Sequence, residues 1–293
     1  MATTTPFISA KPGSRDQRPR TLSRFSLTSF ITWFAAACFI AVLFAVLLSV
    51  IVASFAQSWS GTWWPTTFTF DWIKQVLQIP QFKPSIITTF EVAIADVFLA
   101  LVIGVPAGYI LARKNFPGRS AVMLAILMPV VLPTLTYAVQ LAALMYRLGL
   151  GGSLLAVILV NLVPILPLVV LITVPFVEQI SPQVENAARV FGANNWRLFK
   201  DVLIPLLAPG IVAAGVLAFV RVLGSFDLTF FVAGADTQTL VVTIFGAMSN
   251  PGGTPEGLTA AMTLFYMIIA FIGLAISLRF SNPAQALSST TRH

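Results

Sequence analysis

Six stretches of this chain, at about 28–56, 87–112, 120–146, 152–177, 207–226 and 261–280, are apolar over at least 20 residues. A helix of about 20 mainly apolar residues crosses a bilayer. With no water in the hydrocarbon to satisfy N–H and C=O groups, the backbone must bond internally, and continuous runs of this length do so as helices. The expected fold class is therefore an all-α membrane protein with six transmembrane helices. Composition agrees: 57% of the 293 residues are hydrophobic and 9% charged, against about 25% charged in a soluble domain.

The first run follows a basic tail, as a signal peptide does. It far exceeds the roughly 7–15 residues of a signal core, so a retained anchor is expected. Lys and Arg then set the orientation. With the N-terminus in the cytoplasm, inside segments hold 13 of the 17 basic residues and outside segments hold Lys74, Lys83 and Arg147, while Arg221 lies within a span. Both termini and the segment 178–206 are thus expected in the cytoplasm, with 57–86 and 227–260 facing out. The net charge of +7 sits in the tail and short loops, which argues against a nucleic-acid partner. The expected divisions are a basic tail (1–27), a first span with its outward loop (28–84), a core (85–280) and a short tail (281–293), both tails disordered. Trp59, Trp63, Trp64 and Trp72 in the first outward loop fit an interfacial segment better than an aromatic ligand box.

Several chemistries are excluded. The one histidine is the terminal His293, so no histidine-based metal site or catalytic triad can form. Cys38 is alone, which rules out an intramolecular disulfide. No G-x-x-x-x-G-K-[ST] phosphate loop occurs, so any ATP hydrolysis belongs to another chain.

Between spans four and five lies a polar island, Glu178 to Pro205, reading EQISPQVENAARVFGANNWRLFKDVLIP. Ser181-Pro182 is a helix start. Val184, Ala187, Ala188 and Phe191 recur at i, i+3, i+4 and i+7, on one face. Gly192 suits the left-handed stop, Asn194 or Asn195 caps a second short helix, and Pro205 is expected to end it. Small alanines beside a carboxylate favour docking in another protein's groove. An interfacial hairpin on lipid headgroups explains the basic residues but not Glu178, Glu185 and Asp201.

Glu185-Asn-Ala187-Ala188, three residues, Gly192, nine residues and Val202-Leu203-Ile204-Pro205 resemble the EAA loop of permease subunits in binding-protein-dependent ATP-binding cassette importers. Asn186 and Ile204 depart from that pattern. The resemblance spans about 85–280. It implies a MetI-like type I importer permease fold in a bacterial inner membrane. It also implies that Glu185, Ala187, Ala188, Gly192 and Pro205 form a coupling loop seated on an ATPase subunit. The implied partners are two such ATPases, which bind ATP and Mg, a second permease and an extracytoplasmic binding protein. The permease itself is non-catalytic and carries no cofactor.

Charges inside spans are candidates for a translocation path. Glu91 lies near the outer end of span two, while Asp96 lies deeper. At the end of span five, Arg221, Ser225, Phe226 and Asp227 precede Gly234, Thr239, Leu240 and Val242. That order resembles the polyamine branch of these permeases, a neighbourhood shared with carriers of iron chelates, opines and aminophosphonates. Arg221 and Asp227 either pair with each other or meet solute. Pro106, Pro129, Pro133, Pro164 and Pro167 are expected to interrupt their helices. A secondary transporter using Asp96 or Asp227 as an ion site, and a scaffold without a path, are the competing readings. Neither gives the 178–206 hairpin a task, and no related halves, usual in secondary transporters, are evident.

Overall fold

The computed structural model describes residues 27–59, 64–250 and 252–280. Apart from residue 27, the two expected tails lie outside the described residues, as does Trp63. The chain divides into two units, residues 1–48 and 49–293.

Helix α1 (Leu27–Phe55) contributes its greater part to the first unit. Its apolar side chains from 29 to 46 are exposed all round, as suits a helix whose solvent is lipid.

The second unit is helical throughout its described spans. Short α2 (Asp71–Gln78) is amphipathic and buries Val76. There follow α3 (Phe82–Arg113), α4 (Arg119–Val131), α5 (Thr134–Arg147) and α6 (Leu154–Gln179). Next come α7 (Pro182–Val190), α8 (Asn195–Arg197), a π-helical segment (Leu198–Leu203) and α9 (Ile204–Leu223). The unit ends with α10 (Asp227–Val232), α11 (Leu240–Met248) and α12 (Glu256–Phe280).

The expected third span is broken. The axes of α4 and α5 differ by 100°, so the described residues hold five spanning helices, or six if this bent pair crosses as one. Proline explains the break. Leu132, directly before Pro133, is extended at φ −77°, ψ 139°, because a proline ring clashes with a helical predecessor. The other spans tolerate their prolines: Pro106 lies inside α3, and Pro164 and Pro167 lie inside α6. Contrary to expectation, they interrupt nothing.

Span five also differs from expectation. It runs unbroken from Asn195 to Leu223, and Pro205 does not end the short helix before it. The π-helical turn is the physical reason. Ile204 N–H bonds five residues back to Phe199 O, and the widened turn carries the chain past a residue that has no N–H to give.

The core is built on α3, α6 and α9. Two glycines of α3 allow α6 to approach closely. A Cβ at Gly104 would stand 2.7 Å from Val169 Cγ1, and one at Gly108 would stand 2.8 Å from Thr173 Cβ. Such small residues replace the hydrophobic drive that lipid removes. The constant offset of these two contacts means α3 and α6 run parallel, so Arg113 and Gln179 end at one face of the bundle. At the opposite end, the segment 227–260, expected to face out, is packed against the bundle through α10 and α11. Leu228, Thr229, Val232, Leu240, Val242 and Ile244 are buried there. Thr89 Oγ1 accepts the N–H of Leu240 at 2.8 Å, and Gly152 N–H donates to Val232 O at 2.9 Å.

Candidate functional site

The hairpin at 178–206 is shaped by its own residues. Ser181 Oγ accepts the N–H of Gln183, and Pro182 fills the first helical position of α7. The helix stops at Gly192, whose φ of 84° is left-handed. Gly192 N–H bonds to Arg189 O and Ala193 N–H to Ala188 O, both at 3.0 Å. Those two bonds satisfy carbonyls that the helix end leaves open. Asn194 Oδ1 then accepts the N–H of Arg197 at 2.8 Å and starts α8. Start, stop and restart all follow the sequence expectation.

Glu185 points the other way from a surface contact. It is 8% exposed. Arg113 Nε donates to its Oε1 at 2.7 Å, and Tyr109 Oη donates to Oε2 at 2.7 Å. Arg113 also donates through Nη2 to Ile180 O. The end of α3 thereby latches both the approach to α7 and α7 itself. Phe199 lies against Tyr109 edge-on, with ring centroids 6.1 Å apart. In the sequence Arg113 is one of the 13 basic residues expected inside, and nothing there singles it out for this latch.

With Glu185 tied down, the hairpin carries large exposed apolar side chains among its polar ones. Val190 is 85% exposed, Phe191 90% and Trp196 69%, with Val184 and Ala187 also exposed. Ala188 is half-buried against the main core, so the expected single face of Val184, Ala187, Ala188 and Phe191 is divided. Gly192 is exposed, and Pro205 sits in the first turn of α9. Exposed aromatic side chains on an otherwise polar segment make the hairpin the candidate interaction surface.

The charges expected along a path are not brought together. Asp96 is fully buried, and neither carboxylate oxygen has a hydrogen-bond partner among the described residues. The Gly104–Val169 register carried back along α3 and α6 sets Asp96 level with Asn161. That asparagine, unremarked in the sequence although it interrupts an apolar run, is 1% exposed. Its Nδ2 donates to Val157 O at 3.0 Å and to Thr229 Oγ1 at 3.1 Å, and its Oδ1 accepts from Ser225 Oγ. It therefore ties α6 to the α9–α10 corner. Arg221 is exposed and Asp227 half-buried. Ion pairs among the described residues are Lys74–Asp71 and Arg113–Glu185, so Arg221 and Asp227 do not pair with each other.

Comparison with known proteins agrees with this architecture. Residues 104–282 match the family described as the binding-protein-dependent transport system inner membrane component. The chain is 32% identical over 205 residues to the molybdenum transport system permease protein ModB of Haemophilus influenzae, covering 64% of this chain and 89% of that one. A chain of a bacterial ABC transporter involved in import of the acidic polysaccharide alginate superposes with a TM-score of 0.73 at 16% identity, over 94% of this chain and 99% of that one. A chain of the inward-facing MetNI methionine ABC transporter superposes at 0.54 and 18% identity, over 73% and 99%. At those identities the two structures show the MetI-like fold alone. The polyamine neighbourhood expected from Ser225-Phe226-Asp227 is not where the sequence relatives lie: that of Haemophilus influenzae is named for molybdenum transport. What is shown is coarser and firm: this chain belongs to the multi-pass inner-membrane permease family of binding-protein-dependent ATP-binding cassette importers.

Proposed function

We propose that the hairpin at 178–206 is the surface by which this permease is driven, seated on a separate ATPase subunit on the cytoplasmic side. The observation that carries this is the division of labour within the hairpin, between α7 and the turn and short helix that follow it. Glu185 is latched to Arg113 while Phe191, Val190 and Trp196 stand in the open. An element fixed firmly to α3 and presenting an apolar ridge transmits a push as a rigid body. Ala187, Ala188 and Gly192 supply the close-packing face and the turn, and Pro205 sits where the lever enters α9. Both termini are read as cytoplasmic from the Lys and Arg bias.

The path is read as running beside Arg221, Ser225 and Asp227 at the opposite end, where an extracytoplasmic binding protein delivers the solute. Asp96 joins it only when α3, α6 and α9 move apart. A second permease chain completes the path, because polar lining facing lipid would be unsatisfied. The solute is hydrophilic, as suits a path lined by Arg221, Ser225 and Asp227. The diverse solutes named for proteins of this fold support no finer class.

Reconstitution with the ATPase and binding protein tests the reading. Phe191→Asp is expected to abolish ATP-dependent uptake while the permease keeps its fold. Uptake that persists without ATP and collapses with an ionophore would replace the reading with secondary transport.

A further inference from the structure

At the end of the molecule opposite the hairpin, a cleft of about 300 Å³ opens between the end of α1, the loop that follows it and the start of α12. A second hollow of about 320 Å³ adjoins it, the two sharing Ala53, Trp59 and Glu256. The outer part is lined by Trp59, Trp72 and Glu256. The inner part continues along the spanning helices past Ala53, Thr259 and Thr263, the last two one turn apart on α12.

We propose that this cleft binds a zwitterionic phospholipid, its alkylammonium headgroup held by Trp59, Trp72 and Glu256 and its acyl chain lying along the inner part. Indole rings attract alkylammonium ions through the negative charge of their faces. Glu256 is the one acid lining either hollow; it is exposed and lies outside the ion pairs found among the described residues. Trp72 is preset for the role. Its Nε1–H donates to Ala56 O at 2.8 Å. Its ring lies so close to Gly257 that a Cβ there would stand 2.3 Å from Nε1. Tryptophans gather at the water–lipid boundary, and the ends of two spanning helices place the cleft there. A soluble amine carries the same cation but leaves the inner part empty, which selects the lipid as occupant.

Native mass spectrometry of the full-length protein, released from detergent with matched acyl chains, provides the test. Phosphatidylethanolamine is expected to be retained about fivefold more than phosphatidylglycerol, the scale of one cation–aromatic contact near a surface. Glu256→Gln is expected to bring the two lipids close to parity without changing the unfolding temperature, and Trp59→Leu to do the same. Free ethanolamine at millimolar concentration is expected not to displace the bound lipid. Equal retention of the two lipids by the wild type, an unchanged preference in Glu256→Gln, or displacement by free ethanolamine would each overturn the assignment.

Discussion

At the scale of single residues, two carboxylates carry opposite energetics. Glu185 is compensated, with Arg113 and Tyr109 both donating to it at 2.7 Å. Removing one partner leaves the other charge poorly solvated. Glu185→Ala is expected to destabilise the protein by about 2–3 kcal/mol, below the full cost for a buried pair because both side chains retain some exposure. Thermal unfolding of the solubilised protein measures it, and protease cleavage within 178–206 should rise in parallel. Arg113→Lys is expected to recover only part, since a lysine cannot serve Glu185 and Ile180 O in the same fixed fork. Asp96 is the reverse case, buried with neither oxygen satisfied. Asp96→Val is expected to raise stability by about 1–2 kcal/mol, the cost of an unsatisfied buried polar group. If the carboxyl serves when the helices part, uptake falls in the same variant. A variant both less stable and fully active would contradict that assignment.

Among elements, the α3–α6 contact is set by two glycines. Gly108→Ala would place a methyl 2.8 Å from Thr173 Cβ, a branched carbon with little freedom to move. A loss of about 1–3 kcal/mol is expected, as for overpacking in general. Gly246→Ala in α11 is the control: nothing lies within 4 Å of its added Cβ, so a gain of about 0.5–1 kcal/mol is expected from helix propensity. Unfolding of the two variants side by side checks both signs. This scale also marks where the sequence was legible. The hairpin's Ser181, Gly192 and Asn194 act locally, so their roles could be read from neighbours along the chain. The 100° break at Leu132-Pro133 and the continuity of α9 through Pro205 could not. Proline interrupts one helix and sits within the other, and what decides is whether tertiary packing or a π-turn absorbs the missing N–H. Hydropathy is likewise blind to α10 and α11, which bury Leu228, Val232, Leu240, Val242 and Ile244 although each helix is too short to span.

For the whole molecule, the long apolar runs carried the fold class, because a bilayer admits so few solutions. The site was legible in part. The hairpin was visible as an island of polarity, but the inward turn of Glu185 was not, since it depends on Arg113, distant in sequence. Solute identity lay beyond reach for a physical reason: Arg221, Ser225 and Asp227 form no closed cage within one chain. The central claim is that the exposed ridge of Val190, Phe191 and Trp196 seats an ATPase subunit. Its most direct test is co-purification from native membranes in mild detergent, comparing wild type with the double variant Phe191→Asp/Trp196→Asp. An ATPase bearing a phosphate-binding loop should accompany the wild type and be lost from the variant, while the two permeases unfold at the same temperature. Equal retention of that ATPase by both proteins, or a wild-type chain that purifies without one, would contradict the account.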